Sequence, residues 1–449
     1  MFTLFSQINF LPLNYQVMVI DLALANFRQP FPRPDDLLDR SPSHPARLTV
    51  MKATSALKYL RGDGLRILLS SDTSGKIRIQ FEQAWPHILK WIRFLLTIRA
   101  STGETDPSRS TQDIIGSVCA FLCDMNEQEF ISRRIMEDPV TFAIVLSAYL
   151  QHDPHALISI DSENKPPSAK SDAPAHILSQ ILQYRTKHAN LKDSLRILDG
   201  QEKKMIELAL EHLRRAPNMS LATSAPFRKV RTNIFLLDML THIDSFIPYL
   251  VKNKIIVATV SALKFIVAHN PSPPENTDPL LLPSGIVACL KLLFFFVSRP
   301  RADQCIRVML SEHVEFSLST VAQLIPSNPR DDSPETRYAN LSKLILAQLA
   351  SYVVSHSAVN SIVLATERAF LENPALGKSK QVGGMWSLLQ RYAIERAICK
   401  YIFDEASARI GIKCNSVRDQ SFPLKRYCRF AYGHVKVRQS TPARNGQEM

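Results

Sequence analysis

The chain has 449 residues, 45% hydrophobic and 21% charged. It can therefore bury a sizeable core, and it is too apolar for general disorder. Its 13 glycines are too few for glycine-rich phosphate loops or an all-β fold full of tight turns, and its net charge is +13. The 28 prolines gather in connectors between segments of helical period. An all-α fold is the expectation.

In chain order, 1–27 is apolar, with a helix from about Asn14, and 29–46 is a proline-rich connector. Helices are predicted over 50–61, with Met51, Ala53, Leu57 and Leu60 on one side, and over 79–99, with Trp85, Ile88, Trp91, Ile92 and Leu95 inward. Pro86 should kink or split the second. Residues 101–110 form a surface loop. Helices follow over 111–123, 127–136 and 139–150, and 158–173 is the clearest linker. Two more charged helices, 174–188 and 191–215, lead to another over 228–241.

The most readable stretch is 244–271. Asp244 or Ser245 can cap a short helix with Pro248 in its first turn. Lys252-Asn253-Lys254 is a polar corner, and a second helix spans 255–268. Ile256, Val260, Leu263 and Val267 repeat along it at helical spacing, widened by Ile255, Ala262 and Ile266. Asn270-Pro271 stops it, because proline disfavours a helical predecessor. Only Lys254, Ser261 and Lys264 give this helix a polar stripe, so other helices must cover it.

Segments ending at Pro154, Pro329 and Pro374 repeat parts of the same plan. Ile131/Ile135, Ile247/Val251 and Ile306/Leu310 occupy equivalent places in the first helix. The stops fall 117, 58 and 45 residues apart, so the repeat is irregular. A short helix, a polar corner, a longer apolar helix and a proline stop predict an armadillo/HEAT-like helical solenoid. Residues 284–297 are the most hydrophobic run. Lys291 at its middle and its short length favour a buried helix over a membrane span.

The seven cysteines are odd in number and scattered, and 1–27 lacks a basic start and carries Asp21. An intracellular location, cytoplasmic or nuclear, is expected. No phosphate-binding loop or nucleophile elbow occurs. His152 and His155 have metal-ligand spacing but no evident partner. Cys119 and Cys123 share a helix face as small core residues. His242, His313 and His356 read as capping or surface groups. No residue is assigned to catalysis, and no organic cofactor is predicted.

The C-terminal region differs. A helix over 385–408 carries Trp386, Leu389, Tyr392, Ala393, Ala397 and Tyr401 along one flank, with Glu395 and Arg396 elsewhere. Lys413-Cys414-Asn415 and Leu424-Lys425-Arg426 with Cys428 follow. This run resembles the fungal MYND-type zinc finger proteins, in which an armadillo-like helical body leads directly into the finger. The resemblance implies zinc on Cys414, Cys428 and His434. These are three ligands of the eight such a finger needs, and even one structural zinc takes four. The finger is therefore truncated or degenerate, and zinc is a cofactor only if this remnant still binds it.

From Arg409 onward nine Lys/Arg face two acidic residues, which is +7 of the total +13. Lys425, Arg426, Arg429, Lys436 and Arg438 interleave with Tyr427, Phe430 and Tyr432, a mixture suited to single-stranded nucleic acid.

The predicted organisation is an N-terminal segment with its connector (1–46), helical repeats (47–157), a linker (158–173), further repeats (174–411) and a poorly ordered basic tail (412–449). The expected function is a non-enzymatic scaffold for a protein or peptide partner, with no membrane. Nucleic-acid binding through the tail and zinc binding by an incomplete finger are the alternatives. Neither the partner nor the oligomeric state is specified by the sequence.

Overall fold

The computed structural model describes residues 13–37, 43–60, 75–98, 107–151, 173–187, 200–219, 224–270, 277–299, 302–326, 330–331, 333–353 and 356–410. Among them there is no strand, and the all-helical expectation holds. Two compact units divide the chain, Met1–Phe295 with Arg330–Leu341, and Phe296–Pro329 with Ser342–Met449.

The first unit opens with α1 (Leu13–Phe27), α2 (Pro45–Tyr59), α3 (Lys76–Ile98), α4 (Pro107–Asn126), α5 (Glu129–Glu137) and α6 (Pro139–Gln151). It continues with α7 (Ala173–Lys187), α8 (Glu202–Arg215), α9 (Ala225–Thr241), α10 (Ile247–Lys252), α11 (Ile255–His269) and the bulk of α12 (Leu281–Val297). Both α2 and α4 start several residues earlier than periodicity suggests. Each starts at a proline, which is tolerated in the first turn because its missing N–H has no helical partner to lose. His44 caps α2 by accepting from the Ala46 N–H at 3.3 Å. Pro86 does not split α3, which runs on as one helix. Trp85, Ile88, Trp91, Ile92 and Leu95 are all buried along it, whereas Met51 on α2 is exposed, against expectation.

The single helix expected over 191–215 is also corrected. Gly200 sits at φ +77, a left-handed value that suits glycine, and α8 begins after it at Glu202. Residues 191–199 lie outside the described residues.

Helix α7 packs on α4, α5, α6 and α9 and organises this part of the unit. Its Arg185 is buried and donates from Nε to the Met136 carbonyl at 3.0 Å and from Nη2 to the Glu137 carbonyl at 2.8 Å. These carbonyls belong to the last turn of α5, where no helical N–H can reach them. The guanidinium also lies 5.0 Å from the centre of the Phe142 ring, so its charge meets a π face as well as two dipoles.

Stretch 244–271 folds as a helix pair. Asp244 and Ser245 form part of a 3₁₀ turn (Asp244–Phe246) rather than capping α10. Pro248 lies in the first turn of α10 as expected. Lys254 turns the corner at φ 60, ψ 42, and α11 follows with Ile255, Ile256, Val260, Ala262, Leu263, Ile266 and Val267 all buried. Phe246 of the turn and Leu250 of α10 fill the core, while Ile247 and Val251 are only half-buried, one residue off the expected register.

The second unit holds α13 (Asp303–Ser311), α14 (Val314–Gln323), the later part of α15 (Pro334–Tyr352), α16 (His356–Glu372) and α17 (Gly383–Ile410). His313 joins α13 to α14 at φ 56, ψ 45, almost the backbone of Lys254. Ile306 and Leu310 are buried as expected. The α5–α6 corner is built differently. The Asp138 carboxylate accepts from the N–H groups of Val140 and Thr141 at 3.1 and 3.0 Å, with Pro139 opening α6. Helix α16 packs on α13, α14 and α17. Trp386, Leu389, Ala393 and Ala397 are buried on α17, but Tyr392 and Tyr401 are exposed, which narrows the expected flank.

Candidate functional site

A cavity of about 280 Å³ lies in the first unit. Ala120, Cys123 and Asp124 line it from the C-terminal half of α4, and Ala173 and His176 from the start of α7. Arg228, Arg231 and Thr232 come from the N-terminal half of α9, and Asp278 and Leu281 from the entry to α12. The first residues of α7 and α12 both reach the cavity wall. A helix start carries positive potential, but that of α12 is already partly met, because the Leu281 N–H donates to the Asp278 carbonyl at 2.9 Å.

The polar groups around it differ in how they are used. Asp278 Oδ1 accepts from the Leu280 N–H at 2.9 Å and steadies the first turn of α12. The Cys123 thiol donates weakly to the Ala173 carbonyl at 3.7 Å, which ties the end of α4 to the start of α7. Arg228 donates from Nη1 to Ser224 Oγ at 2.7 Å, but its Nε is buried with no partner among the described residues. Among the described residues the Arg231 side chain makes no hydrogen bond or ion pair. Burial holds the His176 imidazole below its ordinary pKa, and the neighbouring Arg231 charge adds to this.

Cys119, expected to be a small core residue, is fully buried, and burial pushes its thiol well above the ordinary range, with Cys123 adding to the rise. Cys123 is only partly buried and lines the cavity, which its spacing from Cys119 does not indicate. Both are free thiols. Among the described residues no group of three His, Cys, Asp or Glu is placed to hold a metal ion.

The predicted tail residues Cys414, Cys428, His434, Lys425, Arg426, Arg429, Lys436 and Arg438 lie outside the described residues, as do His152 and His155. His313 is the corner residue of its helix pair. Its Nδ1 lies 3.3 Å from Glu315 Oε1, which also accepts from Arg368 Nη2 at 2.8 Å. Glu315 is buried, so this ion pair anchors the first turn of α14 to α16. Lys291, the cation inside the most apolar helix, pairs with Asp238 of α9 at 2.6 Å. Among the described residues no single helix is long and apolar enough to cross a membrane.

Several large apolar side chains remain exposed. Tyr15, Met18 and Leu22 do so at i, i+3 and i+7 on α1, and Leu364 and Leu371 seven apart on α16. Sequence pattern alone does not distinguish such a face from a covered one. The chain matches no protein-family model, no curated protein and no solved structure.

Proposed function

We propose that this chain is a non-enzymatic helical scaffold that binds a protein or peptide partner, its helix pairs forming an irregular armadillo/HEAT-like array. The supporting observation is the shared corner of two pairs. Lys254 and His313, 59 positions apart, adopt nearly the same left-handed backbone between a short helix and an apolar one. Stacked helix pairs leave long surfaces that suit extended partners. Exposed apolar residues in one row, such as Tyr15, Met18 and Leu22, are the kind of feature that marks an interaction face.

Affinity capture with the full-length chain, followed by reconstitution with the purified candidate partner, tests this reading. A double substitution Met18→Asp and Leu22→Asp, or Leu364→Asp and Leu371→Asp, should weaken the reconstituted complex with helical content unchanged. Equal binding by both folded variants would remove these faces from the proposal. Loss of binding only on deleting 411–449, with a steep salt dependence, would favour nucleic-acid recognition by the tail instead. Stoichiometric zinc in the purified chain would favour the incomplete finger.

A further inference from the structure

The cavity in the first unit combines two features that a structural void does not need. Among the described residues it presents an arginine side chain, Arg231, with no hydrogen-bond or ion-pair partner, and a second, Arg228, whose Nε is buried with none. The geometry points to a binding site for a small organic anion, a phosphate monoester or a carboxylate, held between Arg231 and Arg228 and facing the starts of α7 and α12. This site is independent of the scaffold reading.

The chemistry of each wall supports that assignment. An unpaired guanidinium offers a planar fork of donors that matches carboxylate and phosphate oxygens two at a time. The buried Nε of Arg228 is a donor whose desolvation is uncompensated until an acceptor arrives. At the start of α12 the Asp278 carboxylate already meets the Leu280 N–H, so the positive potential offered to a ligand comes from the two arginines and the start of α7. Asp124 and Asp278 lie on the same cavity and would repel a bare dianion from their side. The ligand they admit carries hydroxyl or amine donors at the end away from its anionic head. With Thr232 also on the wall, the site holds acceptors and donors for a polar molecule. About 280 Å³ lies just below the usual range of ligand pockets, roughly 300 to 1,000 Å³, so a single small metabolite fits and a dinucleotide does not.

The experiment is a titration of the full-length protein with glycerol 3-phosphate and, separately, with glycerate, which pair an anionic head with hydroxyl donors. It is followed by calorimetry and by the thermal unfolding midpoint, against chloride at matched ionic strength. We expect saturable binding of at least one probe, weakened about tenfold or more by Arg231→Met and unchanged by Arg307→Met, which removes an exposed arginine elsewhere. A preference between the probes identifies the head group. If neither probe binds saturably, or if Arg231→Met binds as the parent does, the site is refuted. A second readout does not depend on that variant folding. The charged and titratable groups that share the cavity wall with His176 are Arg228 and Arg231 on α9, Cys123 and Asp124 on α4, and Asp278 before α12, and the Arg231 charge acts on it directly. An anion beside Arg231 offsets its charge, so the midpoint of the His176 imidazole followed by NMR should rise on adding the bound probe. A fixed midpoint at saturating probe would equally refute the site.

Discussion

Lys291 Nζ donates to Asp238 Oδ2 at 2.6 Å, with the carboxylate side chain only 4% exposed and the lysine 51% exposed. This pair accounts for a cation at the centre of the most apolar helix. The half-exposed Lys291 brings its ammonium to a carboxylate buried on α9, so the charge is met without being sunk in the core. Removing the lysine leaves a buried carboxylate with one partner fewer, whereas removing both charges leaves two apolar surfaces. Lys291→Met should therefore lower unfolding stability by about 1–3 kcal/mol, the half-exposed ammonium placing it below a fully buried pair. The double variant Asp238→Leu/Lys291→Met should recover much of that loss, as urea unfolding followed by circular dichroism would show. A double variant that loses the sum of the two single losses would mean the residues act independently.

The helix-pair corners make a second prediction. An L-residue in the left-handed region carries a steric penalty that glycine escapes. Lys254 is exposed, and its corner role rests on its backbone. Lys254→Gly should raise stability by about 0.5–1 kcal/mol, and Lys254→Val should lower it by a similar amount or more. His313→Gly should gain less, because it also gives up the contact with Glu315. Denaturant midpoints for the three variants check the order. If Lys254→Gly is destabilising, the corner is not held by backbone conformation.

Much of the helical layout is legible because burial follows period. In α11 every apolar position read at spacings of three and four is buried, and Lys254 and Ser261 mark the uncovered side. The failures have identifiable causes. Gly200 lies inside the stretch 191–215 whose pattern predicts a single helix, but its positive φ ends that possibility. Met51, Tyr392 and Tyr401 lie at the margins of apolar faces, where periodicity cannot say whether a neighbour arrives. The cavity is illegible for a different reason. Its walls come from segments more than 150 residues apart in sequence, from Ala120 to Leu281. The local hint is a cluster of Arg228, Lys229 and Arg231 at the head of a helix otherwise buried on most sides. Asp238, Lys291 and Glu315 share that signal, a charge inside an apolar run.

Two adjacent glycines should behave in opposite ways. A Cβ on Gly383 would stand 2.6 Å from the Gly377 carbonyl oxygen and 2.8 Å from that of Leu376, both on backbone that cannot swing aside. The start of α17 rests directly on the 3₁₀ turn Leu376–Lys378. Gly383→Ala should cost about 1–3 kcal/mol through overpacking. Gly384 meets nothing within 4 Å, so Gly384→Ala should leave stability unchanged or raise it by up to about 1 kcal/mol through helix propensity. Thermal unfolding of the pair decides it. Equal effects would mean that the approach of α17 to the turn is looser than the backbone spacing indicates.

His176 gives a prediction about pH. Its folded pKa lies below the ordinary value of 6.5, first through burial and then through the charge of Arg231. The unfolded chain therefore takes up the proton first as pH falls. The stability that neutral His176 provides is fully present above about 6.5. It declines as pH drops through 6.5, and the decline levels off once pH is below the folded pKa, where both states are protonated. His176→Gln removes this titration, so the stability difference between parent and variant should shift in the variant's favour between pH 7 and pH 5. Chemical unfolding at half-unit steps, with the parent and Arg231→Met alongside, separates the two causes. The arginine variant should retain most of the slope, because burial is the larger cause and remains. A variant difference that does not change with pH would show that His176 titrates alike in the folded and unfolded chain, and would place its imidazole in open solvent rather than against the cavity wall.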